Sequence, residues 1–245
     1  MHSTVEHKRN RRPAKTLAQL YQRFRRVIHP NSTAEVGAKH ATRIAVLGLY
    51  RSGSSAVAGI LHHLGVNMGP PFYQNVAEST FHEFYESAWL SQQLRTWWSE
   101  PEITEKIRAA KRVRVFKRWI QNQERNGSKW IGMKHPLLCL CGPDLLQAWG
   151  QSMRFIWAWR PLDNSINSLV RLNWWTSDKS EQSQRTLWTA TTKFFADREH
   201  LRIDFAAMMA DPRQQVVRLI DYLGLEPTEN QIVAAINYIQ PTSKA

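Results

Sequence analysis

Short apolar segments alternate with helical segments along most of the chain, and this alternation limits the possible folds more than any other feature. Residues 44–49, 130–133, 154–159 and 201–205 predict strands, and stretches with a helical period lie around them. Strands that alternate with helices form a mainly parallel sheet with helices on both faces. We therefore predict an α/β three-layer sandwich. The predicted helices span residues 56–64, 88–98, 103–125, 145–149, 163–172, 182–198, 216–223 and 230–239.

Positive charge is concentrated at the start of the chain. The protein has 245 residues and a formal net charge of +13, and residues 1–40 contain nine Lys or Arg against Glu6 and Glu35. A polar stretch rich in turn residues follows the apolar pattern of this segment and marks a boundary. We expect a basic N-terminal extension over residues 1–40 and one globular domain over residues 41–245. The remaining excess charge on the domain suits a polyanionic ligand.

The composition favours a cytoplasmic protein. No run of about 18 apolar residues is present, and charges stand where a signal peptide needs an apolar segment. The two cysteines, Cys139 and Cys141, are two positions apart, so they would point to opposite sides of an extended segment. A disulfide framework or zinc site is therefore not expected. We predict a cytoplasmic location and no transmembrane segment.

A loop rich in Gly and Ser follows the first predicted strand. Residues 48–55 read Gly-Leu-Tyr-Arg-Ser-Gly-Ser-Ser, and such a turn lets backbone N–H groups and a helix N-terminus converge on an anion. A Walker A loop needs Lys at the position of Ser54, which argues against an ATPase, a GTPase or an ordinary kinase. We predict that Arg51 contacts a 5′-phosphate and a leaving-group oxygen. The other predicted phosphate-binding residues are Ser52, Gly53, Ser54 and Ser55.

A second anion-binding pattern follows the third predicted strand. Arg160 ends this strand, and Ser168 lies in the next predicted helix. A guanidinium and a hydroxyl in this layout can bind one phosphate together. Arg171 follows in the same helix and is a candidate second phosphate contact, with an exposed helix charge as the alternative.

The two patterns together resemble the enzymes that use 3′-phosphoadenosine 5′-phosphosulfate (PAPS), the PAPS-dependent sulfotransferases. These enzymes have a Lys/Arg-Ser-Gly-Thr/Ser-Ser/Thr loop for the 5′-phosphosulfate, and an Arg at a strand end with a Ser eight positions later for the 3′-phosphate. Residues 83–86 and 130–136 are similar to the G-[FY]-[FY]-E and W-x-x-K-D-P segments of bacterial sulfotransferases. The resemblance extends to the tail of the chain and implies a fold like that of the P-loop NTPases.

The resemblance also implies catalytic residues. It makes Glu86 the general base that removes the acceptor proton, with a solvated helix-start carboxylate as the alternative. His135 replaces the Asp that follows Lys134 in the family pattern, and cytosolic sulfotransferases use a His at a comparable place. His135 is therefore the second candidate base, with a structural histidine hydrogen-bonded at a strand end as the alternative. Lys134 is a candidate to neutralise the sulfonate or the bridging oxygen, with a surface lysine as the alternative.

The resulting hypothesis is a sulfotransferase domain that moves a sulfuryl group from PAPS to a hydroxyl or amine and releases PAP, the 3′,5′-bisphosphate. We expect a small-molecule, glycan or lipid acceptor, and no metal, because Arg51 and loop amides stabilise the leaving group. A P-loop nucleotide or small-molecule kinase is the first alternative, but it would need Mg²⁺ ligands and the missing loop Lys. A nucleic-acid-binding protein that uses the basic arm is the second. It would leave both phosphate sites unexplained, so no nucleic-acid partner is expected.

Overall fold

The computed structural model describes residues 41–74, 83–99, 105–173 and 175–239. The predicted N-terminal extension lies outside the described residues. The strands that the structure describes are β1 (Thr42–Leu47), β2 (Trp130–Lys134), β3 (Arg154–Trp159) and β4 (Leu201–Asp204). They form one parallel sheet in the order β2-β1-β3-β4, so β1 lies between β2 and β3.

Helices connect the strands and cover the sheet. None of the helices in the described part is long and apolar enough to span a bilayer. A 3₁₀ helix, Pro136–Leu140, follows β2 directly, and Cys139 is buried within it. The α-helices are α1 (Ser54–His63), α2 (Ala88–Ser99), α3 (Glu105–Glu124), α4 (Gly142–Trp149), α5 (Leu162–Arg171), α6 (Ser177–Phe195), α7 (Phe205–Ala210), α8 (Pro212–Leu223) and α9 (Glu229–Ile239).

Side chains that alternate along β1 divide the interior into two cores. Ala45 and Leu47 point into one core, which contains apolar residues of α2, α3, α4 and α6. Ile44 and Val46 point into the other, which contains residues of α1, α7, α8 and α9. Successive residues of a strand face opposite sides of the sheet, and a parallel sheet is buried on both. The predicted three-layer α/β sandwich is therefore confirmed.

The loop at residues 48–55 is here called the phosphate loop. Close packing at the strand ends explains why one of its positions, Gly48, is a glycine. A Cβ atom added to Gly48 would lie 2.8 Å from the backbone oxygen of Ala158 on β3 and 2.6 Å from Oγ of Ser52. Any larger side chain at Gly48 would push the loop away from the sheet. The loop is thereby held against the carboxyl ends of β1 and β3, where parallel sheets bind ligands.

Candidate active site

A cavity of about 960 Å³ lies at the carboxyl ends of the strands, where the sequence patterns predicted binding. It brings together four separate parts of the sequence: the loop after β1, the segment before α2, the end of β2 and the end of β3. The predicted site residues on its wall are Arg51, Gly53, Ser54, Ser55, Glu86, Lys134, His135 and Arg160.

The loop after β1 presents a helix N-terminus to this cavity. Gly53 is the N-cap of α1 and has a φ of 87°, in the left-handed region that favours glycine. No side chain caps this end of α1 within the described chain. The first backbone N–H groups of the helix are therefore available to an anion, and the helix dipole favours negative charge there.

Two neighbours fix the shape of the loop. A Cβ atom on Gly53 would come within 2.5 Å of the Phe205 ring, so the ring packs directly on the glycine. The Ser52 hydroxyl donates to the backbone oxygen of Leu49 at 2.8 Å and is buried. Ser52 thus lies in the loop as predicted, but its hydroxyl closes the turn. Ser54 and Ser55 both line the cavity.

Three arginines gather beside the loop. Arg160 donates from Nη1 to the backbone oxygen of Arg51 at 2.9 Å, and its guanidinium lies 4.7 Å from the centre of the Phe205 ring. Arg51 donates from Nε to the hydroxyl of Ser168 at 3.3 Å. Burial, followed by the charges of Arg51 and Arg171, lowers the pKa of Arg160. A cluster of like charges at the end of a strand is an electrostatic setting for a phosphate group.

The structure places the members of this cluster differently relative to the cavity. Arg160 is on the wall, whereas Ser168 and Arg171 are absent from the part of the wall formed by described residues. Ser168 is buried and Arg171 is exposed. Arg51 was predicted at the 5′-phosphate, and its side chain reaches the hydroxyl predicted for the 3′-phosphate. Arg51 therefore connects the two predicted phosphate sites.

A second charged group lies on the opposite side of the loop, where β2 ends. Lys134 donates from Nζ to Oε1 of Glu86 at 2.6 Å and to the hydroxyl of Ser55 at 2.9 Å. The side chains of Lys134 and Glu86 are 3% and 8% exposed, so the ion pair is buried. Lys134 is thus not a surface lysine, and Glu86 is not a solvated helix-start carboxylate. A single ammonium joins the carboxylate to the phosphate loop.

His135 completes this group, with each ring nitrogen facing a different partner. Nδ1 accepts a hydrogen bond from the backbone N–H of Leu137 at 3.1 Å, which caps the 3₁₀ helix. Nε2 lies 3.6 Å from Oε2 of Glu86. Burial, together with the charges of Lys134 and Arg95, lowers the pKa of His135 to about 4 despite the opposing effect of Glu86. The ring is therefore neutral at pH 7, with its hydrogen on Nε2 toward the carboxylate.

The Glu86 carboxylate is ionised in spite of its burial. Burial alone would raise the pKa of Glu86, but the positive charges nearby outweigh it and lower the pKa overall. The first of these charges is Lys134, and Arg95 contributes as well. An ionised carboxylate in a water-poor cavity can accept a proton from a bound hydroxyl or amine.

Several wall residues were not predicted as part of the site. Arg95 lies on α2 with its guanidinium 4.1 Å from the centre of the Tyr73 ring, and Phe205 opens α7. Each of them is brought to the cavity by long-range packing, for which the sequence carries no local motif. Trp98 lies on the wall, whereas its neighbour Trp97 is buried in the core. The further aromatic residues on the wall are Tyr50, Phe84, Trp175 and Tyr238.

Comparison with known protein families gives a direct assignment. A model of the sulfotransferase family matches residues 43–229, which include the phosphate loop, Glu86, Lys134 and Arg160. The chain belongs to the sulfotransferase family. The predicted relation to sulfotransferases is thus confirmed, and with it the assignment to the transferases. No curated protein matches the sequence.

Solved structures of sulfotransferases share the fold. The sulfotransferase domain of the olefin synthase from Synechococcus PCC 7002 superposes with a TM-score of 0.52 at 16% identity, over 86% of each chain. STF1 from Mycobacterium tuberculosis H37Rv gives 0.52 at 15% identity, over 80% of this chain and 70% of its own. STF9 from Mycobacterium avium gives 0.54 at 11% identity, over 93% of this chain and 73% of its own. At these identities the likeness supports the fold alone.

Proposed function

We propose that this protein transfers a sulfuryl group from PAPS to a hydroxyl or amine of an acceptor and releases PAP. The proposal rests on one observation: the same cavity is lined by the arginines beside the loop and by the Glu86–Lys134 ion pair. The arginine group and the loop can receive a nucleotide with two phosphates, and the Glu86–Lys134 pair lies where an acceptor would meet it. The family assignment supports the reaction type.

The donor half of the proposed site is built from backbone amides and arginines. The N-terminus of α1 would hold the 5′-phosphosulfate, with Ser54 and Ser55 beside it. Arg160 and Ser168 would hold the 3′-phosphate, and Arg51 would contribute to both phosphates. Arg171 would strengthen the potential at the 3′-phosphate, because its charge already acts on Arg160.

The proposed reaction forms one bond to sulfur and breaks another. The acceptor oxygen or nitrogen attacks the sulfur, the bond from sulfur to the 5′-phosphate oxygen breaks, and the acceptor proton passes to Glu86. Lys134 is close enough to the loop to compensate the negative charge on the sulfonate and the departing oxygen, since it already contacts Ser55. PAP then leaves with the electron pair of the broken bond.

Glu86 is the better candidate for the base on geometric grounds. The lone pair on Nδ1 of His135 is directed to the N–H of Leu137, and Nε2 carries the hydrogen, so the neutral ring has no second lone pair for an acceptor proton. Glu86 is ionised and lies on the cavity wall. In this proposal His135 holds the Glu86 carboxylate in place and does not exchange a proton.

The acceptor would lie among the aromatic residues of the wall near Glu86. The aromatic side chains on the cavity wall suit a partly apolar molecule. A small molecule, a glycan or a lipid remains the proposed acceptor class. A cytoplasmic location and the domain boundary at residue 41 remain predictions from the sequence.

Thermal unfolding with nucleotides tests the proposed donor. PAP without added metal should raise the melting temperature, and at a hundred times its dissociation constant the gain in unfolding free energy should be about 2.7 kcal/mol. ATP and GTP with Mg²⁺ serve as matched nucleotides in parallel samples. A clear shift with ATP–Mg²⁺ and none with PAP would instead favour a kinase of the P-loop fold.

A further inference from the structure

The outer face of α3 carries five cations and no acid. With about 100° of rotation per residue, the residues at positions 106, 107, 110, 111, 114, 117, 118, 121 and 122 share one arc of about 160°. All nine are exposed in the structure. The charged members of this arc, here called the basic face, are Lys106, Lys111, Arg114, Lys117 and Arg118.

The two acidic residues that the structure describes on α3 are engaged elsewhere. Glu105 pairs with Arg108 and Arg112, and Glu124 pairs with Arg43. None of the five cations of the basic face forms a salt bridge with a residue of the described ranges. No acid of the described ranges therefore balances their mutual repulsion, and an extended anionic surface would balance it.

Apolar side chains accompany these charges. Ile107, in the first turn of α3, is 53% exposed on the basic face, and Trp98 at the end of α2 is 51% exposed. Trp98 lines the active-site cavity and also a groove whose other wall contains Arg108 and Arg112 of α3. Arg108 and Arg112 lie outside the arc of the basic face. A helix face with Lys and Arg around an exposed isoleucine is the composition of a membrane-interface element. Nucleic-acid backbones have no place for the isoleucine.

We propose that the basic face of α3 docks the protein on a bilayer that contains anionic phospholipids. Lys and Arg side chains would contact the headgroups, and Ile107 would enter the boundary between headgroups and acyl chains. This docking does not depend on the identity of the reaction.

Vesicle sedimentation with the full chain tests the proposal. The variant R114E/K117E/R118E should bind vesicles with about 30% phosphatidylserine at least about tenfold more weakly than the unmodified protein at about 0.1 M salt. The control variant K193E/R198E/R213E changes the net charge equally at exposed positions outside α3 and should lose less than about threefold. Both variants should keep the PAP-induced rise in melting temperature, which shows that they fold.

A variant without a charge change separates a membrane from other polyanions. Ile107→Ser should weaken vesicle binding about threefold or more and leave binding to a DNA duplex of about 20 base pairs unchanged. Equal losses of vesicle binding in the two charge-reversal variants would overturn the proposal. So would a DNA loss as large as the vesicle loss in R114E/K117E/R118E together with no effect of Ile107→Ser, because the face would then be a general polyanion site.

Discussion

The two charged groups at the strand ends differ in how their charge is balanced. Arg51, Arg160 and Arg171 act on one another as like charges, and this lowers the pKa of Arg160. In the other group, Lys134 and Glu86 form an ion pair at 2.6 Å beside a neutral His135. In the proposed function an anionic ligand completes the first group, whereas the second is balanced within the protein. The proposal thus places binding and proton transfer on different sides of one loop.

The same contrast appears in burial. Glu86, Lys134 and His135 are almost fully buried, and each makes contacts that fix its orientation. Arg160 is only partly buried. Its guanidinium stacks on the Phe205 ring and donates a hydrogen bond to the backbone oxygen of Arg51. A buried group that loses one member keeps an uncompensated charge, whereas a partly exposed arginine can be removed with a smaller structural effect. Mutations in the two groups should therefore produce different kinds of loss.

Lys134, Glu86 and His135 form the balanced group. A substitution in this group should give the largest effect, which is a loss of turnover. Glu86→Gln keeps the size of the side chain but removes the proton acceptor, so kcat should fall by about 10² to 10⁴ with PAP affinity unchanged. The rate of PAP release in the presence of an acceptor that the protein sulfates measures kcat, and calorimetry measures PAP affinity. Glu83→Gln is the matched control, because it makes the same change three residues earlier and should retain activity.

His135→Asn tests which residue is the base. The amide oxygen of Asn can still accept the hydrogen bond from the backbone N–H of Leu137, so the variant should keep the local fold. If Glu86 is the base, this variant should lose much less activity than Glu86→Gln. The reverse ranking, with PAP affinity intact in both variants, would make His135 the base and refute the assignment of Glu86.

A substitution among Arg51, Arg160 and Arg171 should have a smaller effect, and that effect should be on the affinity for PAP. Arg160→Ala should weaken PAP binding by about 1.5 to 3 kcal/mol, the range for a hydrogen bond to a charged group. Binding of adenosine 5′-phosphosulfate, which has no 3′-phosphate, should weaken less. Arg202→Ala is the control, because Arg202 is an exposed arginine stacked on Trp159. Equal losses for both nucleotides would mean that Arg160 does not recognise the 3′-phosphate.

The two groups also differ in how far the sequence predicted them. The phosphate loop and Arg160 each follow a predicted strand, so a local pattern was enough to locate them at one edge of the sheet. The four strands lie within two residues of the predicted starts. The resemblance to the W-x-x-K-D-P segment predicted Lys134 and His135 as catalytic candidates. The contact between Lys134 and Glu86, 48 positions apart, depends on packing that the sequence does not display locally.

Three helices were missed or misplaced, because the polar residues that cap them were not recognised in the sequence. Phe205 was predicted as the end of a strand, but Asp204 accepts hydrogen bonds from the backbone N–H groups of Ala206 and Ala207 and starts α7 there. α6 begins at Ser177, earlier than the predicted residue 182, because the Thr176 side chain caps it. The 3₁₀ helix after β2 was not predicted, since His135 in place of Asp hides the capping position.

The smallest predicted effect comes from the pH dependence of the balanced group. Burial lowers the pKa of His135 to about 4 in the folded protein, while an unfolded histidine has a pKa of about 6.5. Between these values the unfolded chain binds more protons, so stability rises with pH and is lost as pH falls from about 6.5 toward about 4. The contribution of His135 to the unfolding free energy should decrease by about 2 kcal/mol between about pH 7 and about pH 5.

Urea unfolding of the unmodified protein and of His135→Asn at these two pH values measures this contribution. The lowered pKa of Glu86 acts mainly below the pKa of an unfolded glutamate, about 4.3, so it adds little to the change in this window. The variant should therefore lose about 2 kcal/mol less than the unmodified protein on acidification. Equal losses would mean that His135 is protonated as easily in the fold as in the unfolded chain. The balanced group would then carry an extra positive charge near neutral pH, and its contrast with the arginine group would disappear.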